Sequence, residues 1–138
     1  MTDPDLVEKK LAQIETYVAE LRRLAKPDAL GRDIREERFV AHTLQLAIQA
    51  ALDAASHIVS DERLGEPATN RELFDLLRRR GYLSDALAAT LRNMAGFRNI
   101  LVHGYDTVDL AVVRDVLDNR LGDLLDFAAA IRAAMGPR

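Results

Sequence analysis

The sequence predicts an all-α fold, an up-down antiparallel bundle of four long helices and one short helix, read as a single domain over residues 1–138. Three observations predict it. Leu and Ala dominate, aromatics make up only 5% of the residues and Trp is absent, a composition that favours helix over strand. Apolar residues recur at steps of three and four almost throughout, and no segment of useful length alternates with period two. The connections are short, so helices adjacent in sequence should run antiparallel.

The first helix carries the spine Val7, Leu11, Ile14, Val18, Leu21 and Ala25. Asp3 and Pro4 suit its cap and first position. It should stop near Lys26, because Pro27 disfavours helix in the residue before it. PDALGRD (27–33) is a short connection. The second helix runs from about Asp33 to about Ser60, with an apolar face of Val40, Leu44, Ala47, Ala51, Ala54 and Ile58. A polar row of the same period, His42, Gln45, Gln49, Asp53 and Ser56, accompanies it. SDERLGEPATN (60–70) is the longest loop, after which Asn70 should cap a short third helix ending at Gly81. Ser84 should cap the fourth, which passes Leu87, Leu91 and Met94 and stops at Gly104. Asp106 or Thr107 should open the fifth, with the spine Leu110, Val113, Leu117, Leu121, Leu124, Ala128, Ile131 and Met135. Such long heptad-like spines also suit pairing between chains, so a homodimer is expected.

Composition narrows the function. Cysteine is absent, which excludes thiol catalysis, disulfides and cysteine-ligated metals and agrees with a reducing cytoplasm. MTDPDLVEKK lacks a basic region followed by an apolar one, so no signal peptide is expected, and the apolar runs are too short for a membrane span. A net charge of −3 makes the chain as a whole no magnet for nucleic acid, so any phosphate site must be a local basic patch. No phosphate-binding glycine loop or dinucleotide fingerprint occurs, and GRD at 31–33 stands alone. His42 and His57 stand at no metal-ligand spacing with other ligands, and neither a metal nor a cofactor is expected.

One stretch breaks the pattern. FRNILVHGYD (97–106) extends the spine of the fourth helix, yet Arg98 stands where the register asks for an apolar residue, and Asn99, His103 and Tyr105 follow within seven positions. A guanidinium in that register must be paired or must face a cleft, since burying it alone is very costly. Tyr105 returns to nearly the same angle, whereas His103 lies about 140° away on an ideal helix. Two readings stand side by side. In one, Arg98 pairs with an inter-helix carboxylate such as Asp53, His103 complements the helix dipole and Tyr105 packs. In the other, Arg98 offers a fork for phosphate and His103 a proton acceptor or donor near neutral pH. That pair can cleave RNA without a metal: a base takes the ribose 2′-hydroxyl proton, the oxygen attacks the adjacent phosphate, and the arginine stabilises the added charge.

Arg98, four residues, His103, one residue, Tyr105 resembles the motif of the HEPN superfamily, in particular its HepT-like toxins, and Asn99 fits the polar residue often found after the arginine. The likeness extends through LQLAIQAALDAASHI (44–58), residues 72–105 and the last long helix. The resemblance implies a homodimer whose arginines and histidines line one interface cleft. It implies a metal-independent endoribonuclease that leaves a 2′,3′-cyclic phosphate. It further implies a partner, a minimal nucleotidyltransferase antitoxin (MntA-like) that transfers AMP to Tyr105. On that basis Arg98 stabilises phosphate charge, His103 is general acid or base, and Asn99 orients one of them or binds substrate. One histidine cannot easily be both acid and base, so two chains would supply the pair.

Arg78, Arg79 and Arg80 form the densest positive run. They either complement the C-terminus of the third helix or contact the RNA backbone. Asp53 is expected as a structural partner of Arg98. The competing function is a non-catalytic HEPN module that binds a nucleotidyltransferase, against which the intact Arg98 and His103 pair argues. A third is a structural helical dimer with a buried arginine network.

Overall fold

The computed structural model describes residues 3–104 and 107–136. Its elements are α1 (Pro4–Leu24), a 3-10 turn (Pro27–Ala29), α2 (Ile34–Asp61), α3 (Asn70–Arg79), α4 (Asp85–His103), α5 (Leu110–Asp115), a π-helical segment (Val116–Arg120) and α6 (Leu121–Met135). Among the described residues there is no strand, and no helix is long and apolar enough to cross a membrane.

Local chemistry sets the ends. Asp3 accepts from the amides of Asp5 (3.0 Å) and Leu6 (3.3 Å), with Pro4 in the first turn. Ser84 accepts from the amide of Leu87 at 3.1 Å. Asn70 is not the cap of α3 but its first residue. Thr69 takes the extended cap position, and the Glu72 carboxylate reaches back to the amide of Ala68 at 2.6 Å. Nor do Asp106 or Thr107 open the last helix. Thr107 is held by Gly104, its amide and hydroxyl both donating to that carbonyl, and Asp109 caps α5 by accepting from the amide of Ala111 at 2.9 Å. Asp106 lies outside the described residues.

Cross-helix contacts give the directions. Lys26 N–H donates to Glu36 at the near ends of α1 and α2, while Lys10 pairs with Asp53 farther along, so the two helices are antiparallel. Arg132 joins Glu8 and Glu15, and Arg22 approaches Gly122, so α6 runs antiparallel to α1. Arg92 pairs with Asp75 and Arg78 with Asp85, which makes α3 and α4 an antiparallel hairpin. α2 touches α1, α3, α4 and α6, and is accordingly buried around most of its girth, well beyond the predicted face.

The predicted spines of α1 and α2 are buried except for Ala25, which follows the end of α1. The last helix departs. Val113, Val116, Leu121 and Leu124 are buried while Leu117 is only partly so. The step of five between Val116 and Leu121 coincides with the π segment, which inserts one residue into the turn and shifts the register. Backbone angles stay helical at Asp115, Val116 and Leu121, so α5 and α6 form one continuous rod, the fifth helix of the prediction. At the centre Phe74 and Phe127 meet edge to face, 5.8 Å between centroids, tying α3 to α6.

Candidate active site

The last two turns of α4 carry the motif. Leu91, Met94 and Leu101 of the stripe are buried, and Arg98 in their midst is half-buried. Its Nη1 donates to the side-chain oxygen of Asn99 at 3.3 Å, a weak neighbour contact. Its Nε is fully buried and has no hydrogen-bond partner. Buried donors left unpaired are rare and costly, and functional sites are one of the few places that retain them.

Asp53 is not the partner of Arg98. Its carboxylate is engaged by Lys10 at 3.3 Å and by the amide of Gln49 at 2.8 Å, on the side of α2 that faces α1. Among the described residues Arg98 forms no ion pair. The polar row of α2 is wide enough that period alone could not tell which neighbour it faces.

His103 is the last residue of α4 and is exposed. Gly104 ends the helix, its amide donating to the carbonyl of Ile100 at 2.8 Å. The Thr107 hydroxyl then latches the turn through the Gly104 carbonyl at 2.8 Å. The imidazole therefore projects from a fixed helix end. α4 stays α-helical from Arg98 to His103, a spacing of about 140° on an ideal helix, so one protomer does not bring them onto one face. Asn99, also exposed, lies between them. Tyr105, the expected modification site, lies outside the described residues.

Arg78, Arg79 and Arg80 lie at the other end of the hairpin, about 27 Å along α4 from His103 at 1.5 Å per residue. Arg78 is engaged by Asp75 (4.0 Å) and Asp85 (3.5 Å), while Arg79 and Arg80 are exposed. Gly81, with φ +81°, closes this end in a conformation that favours glycine. Within one protomer the run is not part of the motif's site.

Two features escaped the sequence reading. Arg71 of α3 lays its guanidinium on Gly96 of α4, where a Cβ would stand 3.0 Å from Cζ and 3.2 Å from Nε. The signal available was a glycine in mid-helix, where it is otherwise unfavourable. Beside the motif, Arg38, Ala41, His42, Gln45 and Leu101 line an open groove of about 260 Å³ between α2 and α4. No group of three His, Asp or Glu side chains suited to a metal occurs among the described residues.

An all-helical bundle with Arg-x4-His closing its fourth helix has the architecture of the HEPN class. The family profile described as ribonuclease HepT-like matches residues 8–131. The chain belongs to that family. It is 29% identical over 130 residues to the mRNA nuclease HepT of Shewanella oneidensis, covering 94% of this chain and 98% of the relative. It is 33% identical over 110 residues to the tRNA nuclease HepT of Aphanizomenon flos-aquae, covering 78% of this chain and 74% of that one. Its structure superposes with a TM-score of 0.88 on the tri-AMPylated HEPN toxin of Shewanella oneidensis, solved in complex with its MNT antitoxin. That match has 29% identity and covers 95% of this chain and 99% of that one.

Proposed function

We propose that this chain is an endoribonuclease toxin that cleaves RNA by metal-independent Arg and His chemistry in a cleft between two copies, and that a cognate nucleotidyltransferase antitoxin silences it by AMPylating Tyr105. The observation that carries the reading is Arg98, half-buried in an apolar register with an orphaned Nε and no carboxylate among the described residues, five residues before an exposed His103. The two HepT relatives named as nucleases and the AMPylated toxin support it.

Arg98 binds the scissile phosphate and stabilises the charge that grows on it. His103 of one protomer takes the 2′-hydroxyl proton, and the partner's copy returns a proton to the leaving 5′-oxygen. The products are a 2′,3′-cyclic phosphate and a 5′-hydroxyl. Asn99, bonded to Arg98, sets the guanidinium's orientation. AMP on Tyr105 places bulk and negative charge two residues from His103, where RNA phosphate must enter.

The test is cleavage of RNA in excess EDTA, with end-group analysis of the fragments. Cyclic phosphate ends, lost in His103→Ala, are expected. An unmodified protein that leaves every RNA intact overturns the reading. Coexpression with a cognate nucleotidyltransferase should add AMP-sized mass to the peptide containing Tyr105, and Tyr105→Phe should abolish the increment.

A further inference from the structure

Gly96 and His103 share a stripe of α4, about 20° apart in angle and about 10 Å along the axis on an ideal helix. Arg98 lies on the other side. Gly96 is buried, and what fills the place of its missing side chain is the guanidinium of Arg71, whose Nη2 would collide with a Cβ there. The guanidinium is thus seated by shape. Among the described residues it has no carboxylate and no hydrogen-bond acceptor. Two other arginines of the same hairpin are held by carboxylates, Arg92 by Asp75 and Arg78 by Asp75 and Asp85. Arg71 is exposed, and in a chain of 22 acidic and 19 basic residues an arginine that rests on Gly96 with no anion among the described residues keeps its donors for one from outside.

Between Arg71 and His103 the stripe holds Asn99, exposed, and Ile100, 48% exposed although large and apolar. A cation, an apolar patch and a proton-transfer group in line match a strand that alternates phosphate with sugar and base. We infer that Arg71, seated on Gly96, binds a backbone phosphate of the RNA flanking the one that is cleaved. The inference rests on the ribonuclease reading and extends it. Arg71 does not touch the reacting atoms, so it contributes to holding the strand and to its salt dependence more than to the chemical step.

The experiment uses the full chain as wild type, Arg71→Ala, Arg71→Lys, Gly96→Ala and the Arg71→Ala/Gly96→Ala double variant. Binding is read with a fluorescent single-stranded 2′-O-methyl RNA, which lacks the free hydroxyl needed for cleavage, across a salt series. Arg71→Ala should raise Kd several-fold and flatten the plot of log Kd against log salt by about 0.7 for each Arg71 engaged. Arg71→Lys should keep the slope. Gly96→Ala, whose methyl evicts the guanidinium, should act in the same direction, and adding it to Arg71→Ala should weaken binding no further. With unmodified RNA, KM should carry most of the loss and kcat the smaller part. An Arg71→Ala protein with unchanged Kd and slope, beside a wild type that cleaves RNA, overturns the inference. So does a fall of Arg71→Ala to half the wild-type mass in light scattering, which would give Arg71 to a partner subunit's carboxylate. A wild type that cleaves no RNA sinks the ribonuclease reading instead, while the binding series still reports whether Arg71 meets phosphate.

Discussion

Arg98 is half-buried with an unpaired Nε, and His103 stands exposed at the end of α4, so substitution separates their roles. Arg98→Ala relieves a half-buried, unpaired donor, so the fold should survive with a melting temperature within a few degrees of wild type, while cleavage falls about 10²–10³-fold. His103→Ala, at an exposed helix end, should likewise leave stability unchanged and lower the rate about 10²–10⁴-fold. Circular dichroism melts beside initial cleavage rates check both. An Arg98→Ala protein that unfolds at ambient temperature would instead mark the arginine as structural. Arg98 is legible in the sequence because a guanidinium interrupts a stripe of Leu91, Met94 and Leu101, but periodicity says only that a residue faces inward, not which neighbour it meets, and Asp53 belongs to Lys10 and Gln49. Arg71 is hidden for a related reason, since its contact with Gly96 joins α3 and α4 and no single helix encodes it.

At the scale of elements, α1 and α2 were read almost to the residue, because a cap, a proline and an unbroken spine agree. The last helix was not. Its spine assumed a uniform turn, and the π segment moves Val116 into the core and Leu117 toward the surface. A stretch of aliphatic residues offers no hint of the extra residue, since either register buries something apolar. What holds that rod to the bundle is partly electrostatic. Arg132 bonds Glu8 (2.5 Å) and Glu15 (2.8 Å) of α1, and hydrogen bonding to Arg132 holds the Glu15 carboxyl below its ordinary range. The groups are more than a third exposed, so screening limits the network to about 1 kcal/mol. The folded-state value lies below the unfolded one, so this stabilisation is complete above the ordinary glutamate range and is lost as pH falls through the lowered value. Arg132→Ala should therefore melt several degrees lower than wild type at neutral pH, with the gap closing as pH falls below the ordinary glutamate range. A gap independent of pH would assign the loss to packing of the arginine stem. By contrast, Phe127→Ala removes a fully buried ring from the edge-to-face pair with Phe74 and should cost about 3–5 kcal/mol in denaturant unfolding at any pH in the native range.

For the whole molecule, the decisive fact is that α4 continues as α-helix through Arg98 to His103. Arg98 and His103 sit about 140° apart on it, and Gly104 ends the helix at the histidine instead of bending it back. A single protomer thus offers a half-buried arginine and an exposed histidine on different faces of α4, and the proposed chemistry needs a second copy to close the set. A consequence can be measured without a structure of the dimer. If two histidines from two chains serve one reaction as base and acid, a dimer with one His103→Ala chain is as dead as one with two. Wild-type protein allowed to exchange subunits with increasing His103→Ala should then lose activity as the square of the wild-type fraction, since only all-wild-type dimers cleave. If each protomer were self-sufficient, the loss would be linear in that fraction. The quadratic curve requires the shared cleft, and the linear one would place acid and base within a single chain, where α4 as it stands does not bring Arg98 and His103 together.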